Sequence, residues 1–272
     1  KSTSLFKMTN IISIQSTVLN DLVGNQAARY VLSTKRYKFY EIPTIVLTSH
    51  KAHKNSLQLN KKNLNPWLIY NYLKKTYPLR SNDFTIIGYT PNLLSAKAIK
   101  KIIQKQKKIL LDPVMGDVGV GLFINKDVAN FFKTIVSQVS YISANFFEWS
   151  YLNSKSTDNY SLNILLKDLK TFSKKNKVTV FVRSIPYEKK LLNILCKGNQ
   201  VWGITTPYIA FKTRFHGAGD LSTALFAHHI IQKEPLKNIL ENVTKEIYLF
   251  LQKSNKGPKG KVTFKAKNLD NL

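Results

Sequence analysis

Along this chain, short runs of apolar residues alternate with longer stretches in which apolar positions recur every three or four residues, a pattern of strands and helices in turn. The runs at 11–15 (IISIQ), 84–87 (FTII), 108–111 (KILL), 139–143 (VSYIS) and 178–182 (VTVFV) lack strict alternation, which suits parallel strands covered on both faces. A further β-rich run, 40–47 (YEIPTIVL), contains Pro43, which cannot donate to a ladder and so predicts an edge or irregular strand. Helices are predicted from near Gly24 and Asn25, over 66–77 behind Pro66, and over 92–107, 126–136 and 161–174. The runs 191–196 and 200–206 predict a hairpin that turns at Lys197, Gly198 and Asn199. An apolar helix then opens at Asp220, and Pro235 starts a last one to about residue 252. This order predicts an α/β single domain with a mostly parallel central sheet and helices on both faces. It spans 11–254, behind a short arm (1–10) and before a loosely held basic tail (255–272).

Ligands of such sheets bind at the carboxyl ends of the strands, so candidate chemistry is sought there. The most informative stretch is 211–229, FKTRFHGAGDLSTALFAHH. Gly217, Ala218 and Gly219 precede Asp220 at a loop-to-helix junction, where unpaired N–H groups and the positive end of the helix dipole suit a phosphate. Asp220 in the same turn could accept a hydroxyl proton beside that anion site, or could simply cap the helix. Ser16 follows the first strand, as a substrate contact or a turn hydroxyl. His50 and His53 lie in a polar segment, 50–65, without nearby acids or cysteine, so a zinc site is not expected; His50 reads as a substrate contact or a solvated side chain. Tyr89, just past a strand, could stack on a flat ring or pack at the core edge. Asp112 and Asp117 share the loop DPVMGDVGVG, hard oxygen ligands suited to magnesium on phosphates, and Gly116, Gly119 and Gly121 suit a flap. Asn145 and Glu148 are spaced to cap a helix, or to form a second arm of the metal and phosphate site.

The formal charge of +27 on 272 residues, taken alone, points to nucleic acid or an anionic membrane. Yet the lysines are spread over the whole chain and accompany Asn, Ile, Tyr and Phe, residues of AT-rich codons, so compositional drift accounts for them. No nucleic-acid motif is legible, and nucleic acid is not an expected partner. No apolar run approaches the roughly 18 residues of a membrane span. With 43% hydrophobic residues a core needs no disulfide, and the one cysteine, Cys196, fits a reducing cytoplasm.

Taken together, IQS at 14–16, VGN at 23–25, His50, Gly88 and Tyr89, DPVMGD at 112–117, N-x-x-E at 145–148 and HGAGD at 216–220 resemble, in order and spacing, the pyridoxal kinases of the ribokinase-like superfamily. The resemblance covers roughly 11–250. It implies that Asp220 is the base for the hydroxymethyl group of pyridoxal, with Gly217, Ala218 and Gly219 as the anion hole. Ser16, His50 and Tyr89 would hold the pyridine ring. Asp112 and Asp117 would face the ATP phosphates, with Ser143 and Asn145 alongside, and Ser184, Tyr208, Ile209, Ala210 and Phe211 toward the nucleotide. Glu148 and Asp117 would serve the metal, with Phe123 in the flap where the family has a tyrosine. Magnesium, ATP as co-substrate, a monovalent cation (K or Na) and a homodimer are implied too. Departures are Asn20 and Asp21 for an aromatic or basic residue followed by glycine, Ser143 and Ala144 for Thr-Pro, Pro91 for glycine, and Arg183 for a threonine near ATP. Two other readings are carried: a hydroxymethylpyrimidine kinase of thiamine synthesis, and a decayed basic protein that binds polyanions.

Overall fold

The computed structural model describes residues 8–35, 37–59, 64–157, 160–211, 215–255 and 262–271. Most of the expected arm, part of the tail, residues 60–63 of the polar segment and 212–214 ahead of the glycine turn lie outside them. Six parallel strands form the body of the sheet: β1 (Asn10–Val18), β2 (Lys38–Leu47), β3 (Phe84–Ile87), β4 (Lys108–Leu111), β7 (Tyr141–Asn145) and β8 (Thr179–Tyr187). Antiparallel β9 (Lys190–Lys197), β10 (Gln200–Pro207) and β11 (Lys267–Asn268) extend it, giving the order β11-β10-β9-β8-β7-β4-β3-β1-β2. Two short strands, β5 (Gly116–Asp117) and β6 (Gly121–Leu122), make a separate hairpin. As Pro43 predicted, β2 is an edge strand.

Strands read as continuous apolar runs because successive side chains enter two different cores. Ile11, Ile86, Leu110 and Phe181 pack under α1 (Gly24–Leu32), α7 (Ala218–Ile231) and α8 (Leu236–Ser254). Ile12, Ile87, Leu111 and Val180 face α2 (Pro66–Thr76), α3 (Leu93–Ile103), α4 (Lys126–Ile135), α5 (Phe146–Leu152) and α6 (Leu162–Asn176). Helix α7 packs between α1 and α8 against the sheet, so Leu221, Ala224, Leu225, Phe226 and Ala227 bury around it and no clear polar face is left.

Strand β8 continues past residue 182 to Tyr187 and α3 stops at Ile103, short of residue 107, and four further local expectations change. Strand β1 runs to Val18, not to residue 15, because a bulge between Gln15 and Thr17 lets pairing with β2 resume at Val46; Ser16 therefore lies inside the strand. Strand β7 starts at Tyr141 because Val136–Gln138 forms a 3-10 turn first. Helix α7 opens at Ala218, two residues before Asp220, since left-handed Gly217 (φ 95°) caps it. The tail is not wholly loose: β11 pairs with β10, and Leu269 is buried beside Gly203.

Candidate active site

Because β1 lies between β2 and β3, the chain reverses direction across the sheet there, and sheets of this kind take their ligands at such a reversal, in the region at the carboxyl ends of the parallel strands. Segments nearly 200 residues apart meet in it. A Cβ on Gly217 would lie 2.1 Å from the Leu22 carbonyl, and one on Gly24 would lie 2.3 Å from the Ser16 carbonyl, so both turns require glycine. Asn25 fixes this corner: it accepts from the Ser13 hydroxyl (2.7 Å) and donates to the Gln15 carbonyl (3.1 Å) and Thr17 Oγ1 (3.0 Å).

Asp220 sits in the first turn of α7, half-buried, with the Gly24 backbone N–H facing its carboxylate. Burial first, then the negative charge of Asp112, push its carboxyl up to about 7, against the pull of the Gly24 N–H and Arg183. An Asp titrating near neutrality beside a helix N-terminus can take a proton from a hydroxyl at physiological pH. Gly219 is exposed in the same turn.

Behind it lies a buried charged network. Asp112, just past β4, is 1% exposed; it accepts from Thr223 Oγ1 (2.5 Å) and Arg183 Nη2 (3.2 Å). Thr223 also shares a 2.9 Å hydrogen bond with Ser143 Oγ, itself fully buried. Glu148 forms the capping box of α5: its Oε2 accepts from the Asn145 N–H (2.8 Å), and its own N–H donates to Asn145 Oδ1 (2.8 Å). Its second oxygen accepts from the Met115 N–H (3.3 Å). Burial, then Asp112, push Glu148 up to about 8, while burial also raises Asp112 against Arg183 and Thr223.

The remaining candidates differ in exposure and in partners. Ser16 is 7% exposed, while His50 and Tyr89 are half-buried. The His50 ring stacks on His216 at 4.0 Å between centroids, and the His50 backbone N–H donates to Asp21 Oδ2 (2.5 Å). Lys51 donates to the Tyr89 hydroxyl (3.0 Å). Asp117 is on the β5–β6 hairpin, joined to β7 by Asn145 Nδ2 donating to the Gly116 carbonyl (2.8 Å). Ser184 (φ 57°), Tyr208 and Ala210 are exposed; Ile209 and Phe211 are half-buried, and Phe211 meets Phe215 at 5.5 Å. Phe123 is 51% exposed.

Among the described residues no three His, Cys, Asp or Glu side chains are grouped to hold a metal ion. Asp112 and Glu148, the buried carboxylates of the acid loop and the capping box, are already taken by Arg183, Thr223 and backbone N–H groups, so these residues do not fit an ion held by the protein alone. Thr223, Arg183 and His216 were not among the sequence candidates. Thr223 stands three residues after Asp220 on the same helix, a spacing that could have found it. Two hollows elsewhere, of about 430 Å³ along α6 and about 550 Å³ along α2, are lined by lysines without a carboxylate and lack a base.

A three-layer α/β fold whose sheet reverses beside a glycine-capped helix and a carboxylate defines a kinase of the ribokinase-like superfamily. The sequence model of the phosphomethylpyrimidine kinase family matches residues 44–261, and the chain belongs to that family. A Schizosaccharomyces pombe protein provisionally named a pyridoxal kinase is 26% identical over 270 residues, 90% of this chain and 85% of that one. A Corynebacterium diphtheriae pyridoxal kinase is 23% identical over 257 residues, covering 88% and 87% of the two chains. Similar solved folds include Entamoeba histolytica pyridoxal kinase (TM-score 0.81, 19% identity, 95% of this chain and 91% of that one). Plasmodium falciparum PdxK, solved with AMP-PNP and PL, is also similar (TM-score 0.82, 20% identity, 96% and 99%).

Proposed function

We propose that this chain transfers the γ-phosphoryl group of ATP to the hydroxymethyl group of pyridoxal, giving pyridoxal 5′-phosphate in vitamin B6 salvage. The observation that carries the reading is Asp220, held near neutral titration in the first turn of a glycine-capped helix. The relatives named as pyridoxal kinases, matched over 85% and 87% of their length, support the choice of substrate. Asp220 takes the hydroxyl proton as the oxygen attacks the γ-phosphorus and the bond to the β–γ bridging oxygen breaks, releasing ADP, and the N–H groups of the Gly217–Gly219 turn face the charge that develops on the transferring group. Ser16, His50 and Tyr89 line the substrate side; Ser184 and 208–211 lie toward the nucleotide, and the β5–β6 hairpin with Asp117 and Phe123 excludes water. Magnesium bound with the nucleotide supplies charge neutralisation at its phosphates. A homodimer in a cytoplasmic setting belongs to the proposal, and no described helix is long and apolar enough to cross a membrane.

A second reading, phosphorylation of hydroxymethylpyrimidine, is kept because the family's description is phosphomethylpyrimidine kinase, although the relatives named as pyridoxal kinases favour the first. Rates with the two alcohols at equal Mg-ATP separate them. Preference for pyridoxal supports the first reading; a kcat/KM that favours the pyrimidine replaces it.

A further inference from the structure

Arg183 belongs to no motif in the chain, yet it is the most heavily engaged side chain of the site. It is 6% exposed in the middle of β8, where the register shift between Val182 and Ile185 and the left-handed Ser184 break the ladder with β9. From there the guanidinium reaches three structures at once. Nη1 donates to the Gly219 carbonyl in the first turn of α7 (2.5 Å). Nη2 donates to Asp112 (3.2 Å) and to the Ser143 carbonyl (3.3 Å), and lies 3.8 Å from Glu148. Nε is buried without a hydrogen-bond partner among the described residues.

Asp112 and Glu148 are 1% and 3% exposed, and two such carboxylates cannot both ionise in a dry pocket unless a cation stands with them. In many phosphoryl-transfer sites acids so placed would call for a divalent ion. Here the space between them and the helix is taken by a guanidinium hydrogen-bonded to three protein oxygens and 3.8 Å from a fourth, on Glu148. A planar fork with five donors suits that duty, and a lysine ammonium could not reach as many partners in one geometry.

We propose that Arg183 is the resident cation of this acid pocket: it does in the nucleotide-free protein what a protein-held divalent ion would otherwise do. A divalent cation therefore has no site on the protein alone and enters only as the counter-ion of nucleotide phosphates. The free Nε–H is the donor left for an acceptor that arrives with them. The second part rests on the kinase reading; the first does not.

The test is Mn2+ binding followed by electron paramagnetic resonance on the wild-type chain. The nucleotide-free protein should leave the free Mn2+ signal unchanged at concentrations where protein with AMP-PNP removes it more strongly than AMP-PNP alone. Stoichiometric Mn2+ binding by nucleotide-free wild type overturns the inference. Failure to bind AMP-PNP with no Mn2+ bound would instead count against the kinase reading. Arg183→Met should gain what the wild type lacks, a higher Tm in millimolar MgCl2 than in EDTA, while Arg183→Lys, which keeps the charge, should stay insensitive. If Arg183→Met does not fold, Arg183→Lys decides through AMP-PNP affinity. Loss of the Nε donor should weaken it by roughly 10-fold or more, the worth of a hydrogen bond to a charged group; unchanged affinity overturns the role given to Nε.

Discussion

Asp220 carries the proposed chemistry because of where it stands. In water it would be ionised at neutral pH and a poor match for a hydroxyl proton; burial and the charge of Asp112 bring it to about 7. Replacing it by Asn keeps the shape and removes the base. Asp220→Asn should lower kcat by about 10²–10⁴-fold, the usual contribution of a general base, and leave AMP-PNP affinity within a few fold in calorimetry. A variant with near-normal turnover would remove Asp220 from the mechanism. The pH profile follows from the same shift. Because the ionised form is the base, kcat/KM should rise with pH and reach half its plateau near pH 7; a profile already flat at pH 5 would mean the carboxyl is not the titrating base. Asp220 was legible from its place in HGAGD. Arg183 was noticed only as a departure, because its importance depends on a bulge in β8 and on two acids that are 71 and 35 positions away in the chain.

At the scale of elements, the site depends on turns that only glycine allows. Gly217 adopts φ 95° against the Leu22 carbonyl, so Gly217→Ala adds both a backbone penalty of about 1–3 kcal/mol and a clash with backbone that cannot move aside. Its Tm should fall, and AMP-PNP affinity in the folded fraction should fall too, since the N-terminus of α7 must shift. The same change at Gly119, where an added Cβ meets nothing within 4 Å, is the control: its φ of 77° gives a stability cost without loss of affinity. Equal effects on affinity at the two positions would contradict the assignment of the anion site to the α7 turn. The elements themselves were largely written in the apolar runs, since a sheet buried on both sides leaves little else for them to mean. What the runs did not contain was the bulge that carries Ser16 inside β1 and the pairing of residues 267 and 268 onto β10. Both are set by neighbours distant in sequence, not by local pattern.

Across the whole molecule, α7 links the site to a second charged cluster at its other end. His229 is 5% exposed and bonds Glu234 through Nδ1 (2.7 Å) and Glu246 through Nε2 (2.9 Å), which ties the end of α7 to α8. Burial alone would lower its pKa, but the two carboxylates outweigh burial and raise it, while neighbouring His228 is lowered by burial and by His229. A histidine whose folded pKa is raised contributes stability that is complete below its unfolded value, about 6.5, and is lost as pH rises through the folded one. Raised acids act in the same sense: Asp220 and Glu148 favour the folded state while protonated, so ionising them between about pH 4 and 8 lowers stability. Tm of the nucleotide-free protein should therefore decline from pH 6 to pH 8.5, and the decline should be shallower in His229→Gln; a Tm that climbs over that range would contradict both clusters.

The central claim is phosphoryl transfer to pyridoxal with Asp220 as the base. It is tested most directly by following pyridoxal 5′-phosphate formation by absorbance from pyridoxal and Mg-ATP, with wild type and Asp220→Asn side by side. Turnover by the wild type that is lost in the variant, while both bind AMP-PNP, is the predicted result. Equal turnover by the two proteins, or none by a folded wild type that binds AMP-PNP, would contradict it.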